Sequence, residues 1–151
     1  MKKLLFIAPV LLLLFSCNND LSPEEQLEDD IQKIQNYLTE NGLTANATES
    51  GLHYIIENEG SSDKPNLNSV VEVRYEGRFL DDEIFDGTQG NQSVTFPLRN
   101  VIQGWQEGIP LFGRSGSGTL FIPSALGYGD NPPPGIPENA VLIFDVELLD
   151  F

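Results

Sequence analysis

The 151-residue sequence predicts an α+β domain: an antiparallel sheet of about five or six strands, one short internal helix, and an extra amphipathic helix on the N-terminal side. Three observations predict it. Residues 70–80 alternate strictly, with Val71, Val73, Tyr75, Gly77 and Phe79 on one face and Glu72, Arg74, Glu76 and Arg78 on the other. Residues 140–149 repeat the pattern, with Leu142, Phe144, Val146 and Leu148 on the apolar face. One wet face marks an antiparallel sheet with something packed against its other side. Between these strands, residues 94–105 run from an apolar strand through Pro97 into a short helical segment that carries the only Trp of the chain. There Val101, Ile102 and Trp105 stand at i, i+1 and i+4, a spacing that predicts one shared helix face. Taken alone that face is ordinary core. Tyr75, Phe85, Asp86, Tyr128 and Phe144 recur at spacings that would ring it with aromatic groups.

Taken in order, the chain opens with Met1-Lys2-Lys3, an apolar run over 4–15, and Ser16-Cys17. A cationic start, an apolar centre and a small residue before the cut describe a cleaved signal over 1–16. The run is shorter than the ~20 apolar residues a spanning helix needs. Leu14-Phe15-Ser16-Cys17 resembles the bacterial lipobox, with Phe15 bulkier than the usual residue there. It implies that Cys17 carries lipid and becomes the first residue of the mature protein. A plain secretory signal with an incidental Cys is the alternative, but a lone Cys in an exported chain otherwise has no partner. By analogy with lipoprotein sorting, Asn18 rather than Asp after the Cys points to the outer membrane, facing the periplasm.

Residues 17–48 form a tether and a helix. Ser22 stands at N-cap, Pro23 at N1 and Glu25 three residues after the Ser, which together predict a capped start. Leu27, Ile31, Ile34 and Leu38 follow at spacings of four, three and four, and Asn41-Gly42 is a stop. The outer face is strongly acidic. The apolar stripe either docks on its own domain, leaving a monomer, or pairs with a second copy as a dimerisation arm. The stripe is short for an independent coiled coil, so docking is the preferred reading. Residues 43–50 read as a polar linker. The remaining domain, 49–151, begins with a strand over 52–59, where Leu52, Tyr54 and Ile56 alternate against His53 and Glu57. His53 is thus expected on the solvated side. After the strand over 70–80, Asp81-Asp82-Glu83 turns the chain into Ile84-Phe85-Asp86, and 93–98 is a further strand. Gly108-Ile109-Pro110 ends the short helix, 113–118 reads as flexible, 119–123 as a strand, and 128–137 as a loop stiffened by four prolines.

Charge and composition exclude much. The formal net charge is −15, and cleavage before Cys17 would remove two of the eight basic residues and none of the 23 acidic ones. So anionic a chain is repelled by nucleic acid and by anionic headgroups, so any membrane attachment must come from the lipid anchor. With one His, and the one Cys committed to lipid, Cys–His catalysis and multi-His metal sites are excluded, and no metal or cofactor is expected. No glycine-rich phosphate loop opens a helix. What remains is an aromatic pocket almost without acid–base equipment. Such a pocket suits a reaction that breaks no covalent bond, and rotation about an Xaa–Pro amide qualifies, with its barrier of ~20 kcal/mol. The planar amide separates charge by resonance, whereas the twisted transition state is less polar. An apolar, water-excluding pocket therefore binds the twisted form preferentially.

Val73-Arg74-Tyr75-Glu76-Gly77, Phe85-Asp86, Val101-Ile102-Gln103-Gly104-Trp105-Gln106-Glu107-Gly108, Tyr128-Gly129 and residues 140–148 resemble, in order, the motifs of the FKBP-type peptidyl-prolyl isomerases. The resemblance covers about 49–151. It implies a curved antiparallel sheet wrapped around a short helix, with the pocket between them. It makes Trp105 the floor under the substrate proline, and Tyr75, Phe85, Phe96, Val101, Ile102 and Phe144 the walls. The Ile102 backbone N–H and the Tyr128 hydroxyl match groups that hydrogen-bond ligand carbonyls. Asp86 matches the polar group inside the rim, and Ile136 an apolar residue on the flap loop. Tyr75, Asp86, Ile102 and Tyr128 are the expected catalytic set. Expected partners are proline-containing segments of exported proteins and macrolides of the tacrolimus or rapamycin type. The sequence departs from the family where Val94 replaces a frequent aromatic. The Asp81-Asp82-Glu83 turn is one residue short, the segment before Val101 is about two short, and 113–118 replaces a more regular turn. A second reading keeps the pocket but not the turnover: a binding module or chaperone of the cell envelope.

Overall fold

The computed structural model describes residues 21–151, so the expected signal and Cys17 lie outside the described residues. Helix α1 (Pro23–Glu40) opens the described chain. Its capping box is complete: the Ser22 hydroxyl accepts from the Glu25 N–H at 3.3 Å, and the Glu25 carboxylate accepts from the Ser22 N–H at 2.9 Å. Strands β1 (Asn46–Ala47), β2 (His53–Asn58), β3 (Val70–Arg78), β4 (Ile84–Gly87) and β5 (Val94–Pro97) follow. Then come helix α2 (Gln103–Gly108), β6 (Gly116–Ile122) and β7 (Leu142–Asp150).

All seven strands join one antiparallel sheet in the order β1-β2-β6-β7-β3-β4, with β5 also paired to β3. The two-residue β1 adds to the expected five or six, inside a stretch whose polar composition announces only a linker. β3 is the fork of the fold. Its first half, Val70–Val73, pairs with β5, and its second half, Glu76–Arg78, pairs with β4. Tyr75 lies in the gap between the two partners. On the concave face Val71, Val73, Leu120, Ile122, Leu142 and Leu148 bury Trp105, Ile109 and Phe112.

The other face is not wholly wet. Arg74 pairs with Glu147, and Arg78 with Asp145, across β3 and β7. Beyond them α1 covers the sheet: Ile34 and Leu38 bury against Phe121, Val141 and Ile143. This overturns the expected place of His53. Its register partner on β6 is Phe121, so His53 shares the covered layer, is 7 % exposed, and has Nδ1 within 2.9 Å of the Gly51 carbonyl. Alternation named the right face but could not show that a helix lies on it. Residues 113–118 are also not a flexible link, since β6 begins at Gly116. A Cβ on Gly113 would come within 1.9 Å of the Ser61 carbonyl oxygen, and one on Gly118 within 2.0 Å of that of Ile55. These glycines serve close backbone approach, which composition does not distinguish from looseness.

Candidate active site

Two glycines set the position of α2. A Cβ on Gly104 would lie 2.5 Å from Ile122, and one on Gly108 2.6 Å from Leu120, so only bare backbone lets the helix settle this closely on β6. Trp105, on the same short helix, is thereby driven into the concave face and is only 3 % exposed. Three rings meet it edge-on: Tyr75 at 5.1 Å, Phe144 at 5.3 Å and Phe96 at 5.9 Å between centroids, with interplanar angles of 85–89°. Edge-to-face pairs of this kind are favourable beyond their buried area. They also leave a space. A cavity of about 330 Å³ is lined by Tyr75, Asp86, Phe96, Asn100, Val101, Ile102, Trp105, Tyr128 and Phe144.

Val101 and Ile102 reach this cavity by a route other than the expected helix face. Both are extended, with ψ of 174° and 152°, and Ile102 is the N-cap of α2. The preceding 3-10 turn, Leu98–Asn100, is anchored by fully buried Leu98, and the β-branched pair carries the chain from it into the helix. The Gln106 side-chain amide pins this segment by donating to the Val101 carbonyl at 2.8 Å. At a helix start the backbone N–H groups have no intrahelical acceptor, which leaves the Ile102 N–H available to a ligand.

Asp86 stands at the rim, exposed. Its Oδ2 accepts from the Tyr75 hydroxyl at 2.7 Å and its Oδ1 from the Gly87 N–H at 2.8 Å. Burial holds the Tyr75 hydroxyl far above the usual tyrosine range, reinforced by the bond to Asp86 and by that residue's charge. Burial, then the Asp86 charge, raises Tyr128 as well. Both phenols therefore stay protonated at neutral pH, and a neutral phenol can donate. The Trp105 indole N–H is buried without a partner among the described residues.

The structure thus brings Tyr75, Asp86, Phe96, Val101, Ile102, Trp105, Tyr128 and Phe144 to one cavity. Phe85 and Ile136 are not among the lining residues. Phe85 stands behind the wall, stacked on Phe79 at 4.7 Å and edge-on to Phe144 at 5.6 Å, while Ile136 packs half-buried against the core. Sequence reasoning missed Asn100, an exposed polar residue before Val101 with no periodic signal. It also missed Asp30, an acid on a strongly acidic helix that proves fully buried. The site chemistry is apolar contact plus neutral donors and one rim carboxylate. Among the described residues no three His, Cys, Asp or Glu side chains gather as metal ligands.

Comparison with known proteins agrees with this geometry. The family model for FKBP-type peptidyl-prolyl cis-trans isomerases matches residues 61–149. The FKBP-type peptidyl-prolyl cis-trans isomerase FkpA of Aeromonas hydrophila is 39% identical over 137 residues, covering 87% of this chain and 51% of that protein. The crystal structure of FkpA from Escherichia coli superposes with a TM-score of 0.73 at 34% identity, over 84% of this chain and 61% of that one. A peptidyl-prolyl cis-trans isomerase structure from Pseudomonas syringae pv. tomato gives 0.72 at 29% identity, over 87% of this chain and 96% of that one. The chain spans about half the length of the curated relatives it matches.

Proposed function

This chain belongs to the FKBP-type peptidyl-prolyl cis-trans isomerases, and from that membership we propose that its cavity accelerates rotation about Xaa–Pro bonds in exported proteins. The observation that carries the proposal is the box of rings around Trp105, open on one side and sized for a proline ring with its flanking backbone. The proline lies on Trp105, between Tyr75, Phe96 and Phe144, where water is excluded. Losing water costs the planar, charge-separated amide more than the twisted one, so the pocket lowers the barrier without a covalent step. The Ile102 N–H and the Tyr128 hydroxyl hold flanking carbonyls and place the peptide. Asp86 puts a fixed negative charge at the rim. Beside the carbonyl oxygen of the rotating amide, that charge disfavours the planar form, in which the oxygen carries extra negative charge.

The test is a protease-coupled assay on short Xaa–Pro peptides, beside Trp105 emission titrated with a macrolide of the tacrolimus or rapamycin type. The emission reports one site, because Trp105 is the only Trp. Turnover that falls in step with macrolide occupancy supports the reading. Full turnover at saturation places the active site elsewhere, and peptide binding without turnover means a binding module.

The protein's setting belongs to the same proposal. The apolar run ending in Ser16-Cys17 supports a lipid anchor on Cys17, and Asn18 supports the outer membrane facing the periplasm. Cys17→Ser should release the protein into the soluble fraction; a variant that still sediments with membranes, from a wild type without acyl mass, sinks the anchor. The docked stripe of α1 supports a monomer, which sedimentation of the chain from Asn18 onward checks.

A further inference from the structure

The one fully buried carboxylate among the described residues lies outside the cavity. Asp30, on α1, is 0% exposed. Its Oδ2 accepts from the Ser124 backbone N–H at 2.8 Å and from the Ser124 hydroxyl at 2.5 Å. Its Oδ1 accepts from the Gln26 amide at 2.9 Å, and the Lys33 ammonium stands 3.7 Å away. A buried charge this well supplied with donors fixes geometry, because moving either partner leaves a carboxylate unpaired away from water.

Ser124 opens the 3-10 turn Ser124–Leu126, which leads directly to Tyr128. Its carbonyl accepts from the Gly127 N–H at 3.0 Å and from the Gly129 N–H at 2.9 Å, so one residue grips the chain on both sides of Tyr128. The Gly129 carbonyl in turn accepts from the Asn139 N–H at 2.8 Å, closing the proline-rich loop at its base. A continuous run of bonds thus leads from α1, through Asp30 and Ser124, to the backbone beside Tyr128, the cavity residue carried by the proline-rich loop.

We propose that Asp30 is a positioning residue for the active site: the N-terminal helix uses it to hold the loop that presents the Tyr128 hydroxyl at the cavity mouth. The proposal rests on the reading of Tyr128 as a donor to substrate. It makes α1 part of the substrate-binding machinery, although no α1 residue lines the cavity.

The test is a cycle of Asp30→Ala, Asp30→Asn and Ser124→Ala, each with Tyr128 and with Tyr128→Phe, in the chain from Asn18 onward. Circular dichroism confirms folding. Asp30→Ala should raise KM about fivefold with kcat within about twofold, and that rise should vanish in the Tyr128→Phe background. Asp30→Asn should recover most of the loss, since its amide oxygen can still accept from Ser124 while Gln26 turns its own amide. Ser124→Ala, which keeps the backbone donor, should cost less than Asp30→Ala. Amide exchange supplies a readout independent of activity. In Asp30→Ala the Gly127 and Gly129 N–H groups should exchange about tenfold faster, with the β7 amides unchanged. An equal KM rise in both backgrounds, or unchanged exchange at these two glycines, overturns the proposal. If Tyr128→Phe alone leaves KM unaltered, the donor role of Tyr128 falls, and the exchange at the two glycines decides the positioning role by itself.

Discussion

The two faces of the sheet solve the same problem to different degrees of completeness. On the convex face α1 packs onto the sheet: Ile34, Phe121 and Ile143 are fully buried, and the acid that goes in with them, Asp30, accepts hydrogen bonds on both carboxylate oxygens. On the concave face Leu120, Ile122 and Leu142 are equally buried, but the core is left open at one end. There Tyr75, Phe96, Val101 and Ile102 remain only half-buried. A fold that can close one face with a short amphipathic helix has the means to close the other. An apolar surface kept half-open marks a place a ligand completes. Apart from the Asp30 link to the Tyr128 loop, the convex face is therefore expected to govern stability and the open end to govern activity.

The sharpest way to break this contrast is a truncation on the closed side. Ile34→Ala removes a fully buried side chain from the packing of α1 on the sheet, and should cost about 3 kcal/mol in urea unfolding while kcat stays close to wild type. A loss of turnover larger than the loss of stability explains would mean that the two faces do not divide the work. Next comes the rim charge. Asp86→Val should lower kcat about tenfold, roughly 1.4 kcal/mol, with a smaller change in peptide Kd and little change in stability, because Asp86 is exposed. Wild-type turnover in this variant removes Asp86 from the mechanism. Tyr128→Phe should act on binding more than on rate, by about 1 kcal/mol, the net worth of one neutral hydrogen bond; titration of peptide beside the coupled assay measures it.

The smallest effect sharpens the picture of the open end. Because burial is the largest cause of the raised Tyr75 pKa and the Asp86 bond only the second, Asp86→Asn should lower that pKa without returning it to the ordinary 10.0. Ultraviolet tyrosinate absorbance across an alkaline titration reads this, and a full return would make the bond rather than the burial dominant. The sign for stability follows. A phenol whose pKa is raised by folding contributes in full below its unfolded value near 10, and that contribution is lost as pH climbs through the folded value. The Tyr75 share of the stability should therefore fall only above pH 10, and that share of the alkaline loss should disappear in Tyr75→Phe.

Local chemistry alone determined a good deal of this protein. The capping box and four-three-four stripe of α1 and the alternation of β3 and β7 are visible because each depends on neighbours in the chain. So is the scarcity of His and Cys, which leaves little room for Cys–His catalysis or a multi-His metal site. The tertiary structure decided what depends on partners far along the chain. Only the packing of α1 across β6 and β7 turns His53 and Asp30 inward, since an acid on an acidic helix carries no mark of the serine 94 residues away that will pair with it. Only the docking of Gly104 and Gly108 on β6 settles that Val101 and Ile102 arrive as extended backbone and not as a helix face. Only the fork of β3 between β4 and β5 sets Asp86 and Phe96 on either side of Tyr75. Periodicity reports which way a side chain points from its own element; what waits there is fixed by long-range packing, which the local pattern does not contain.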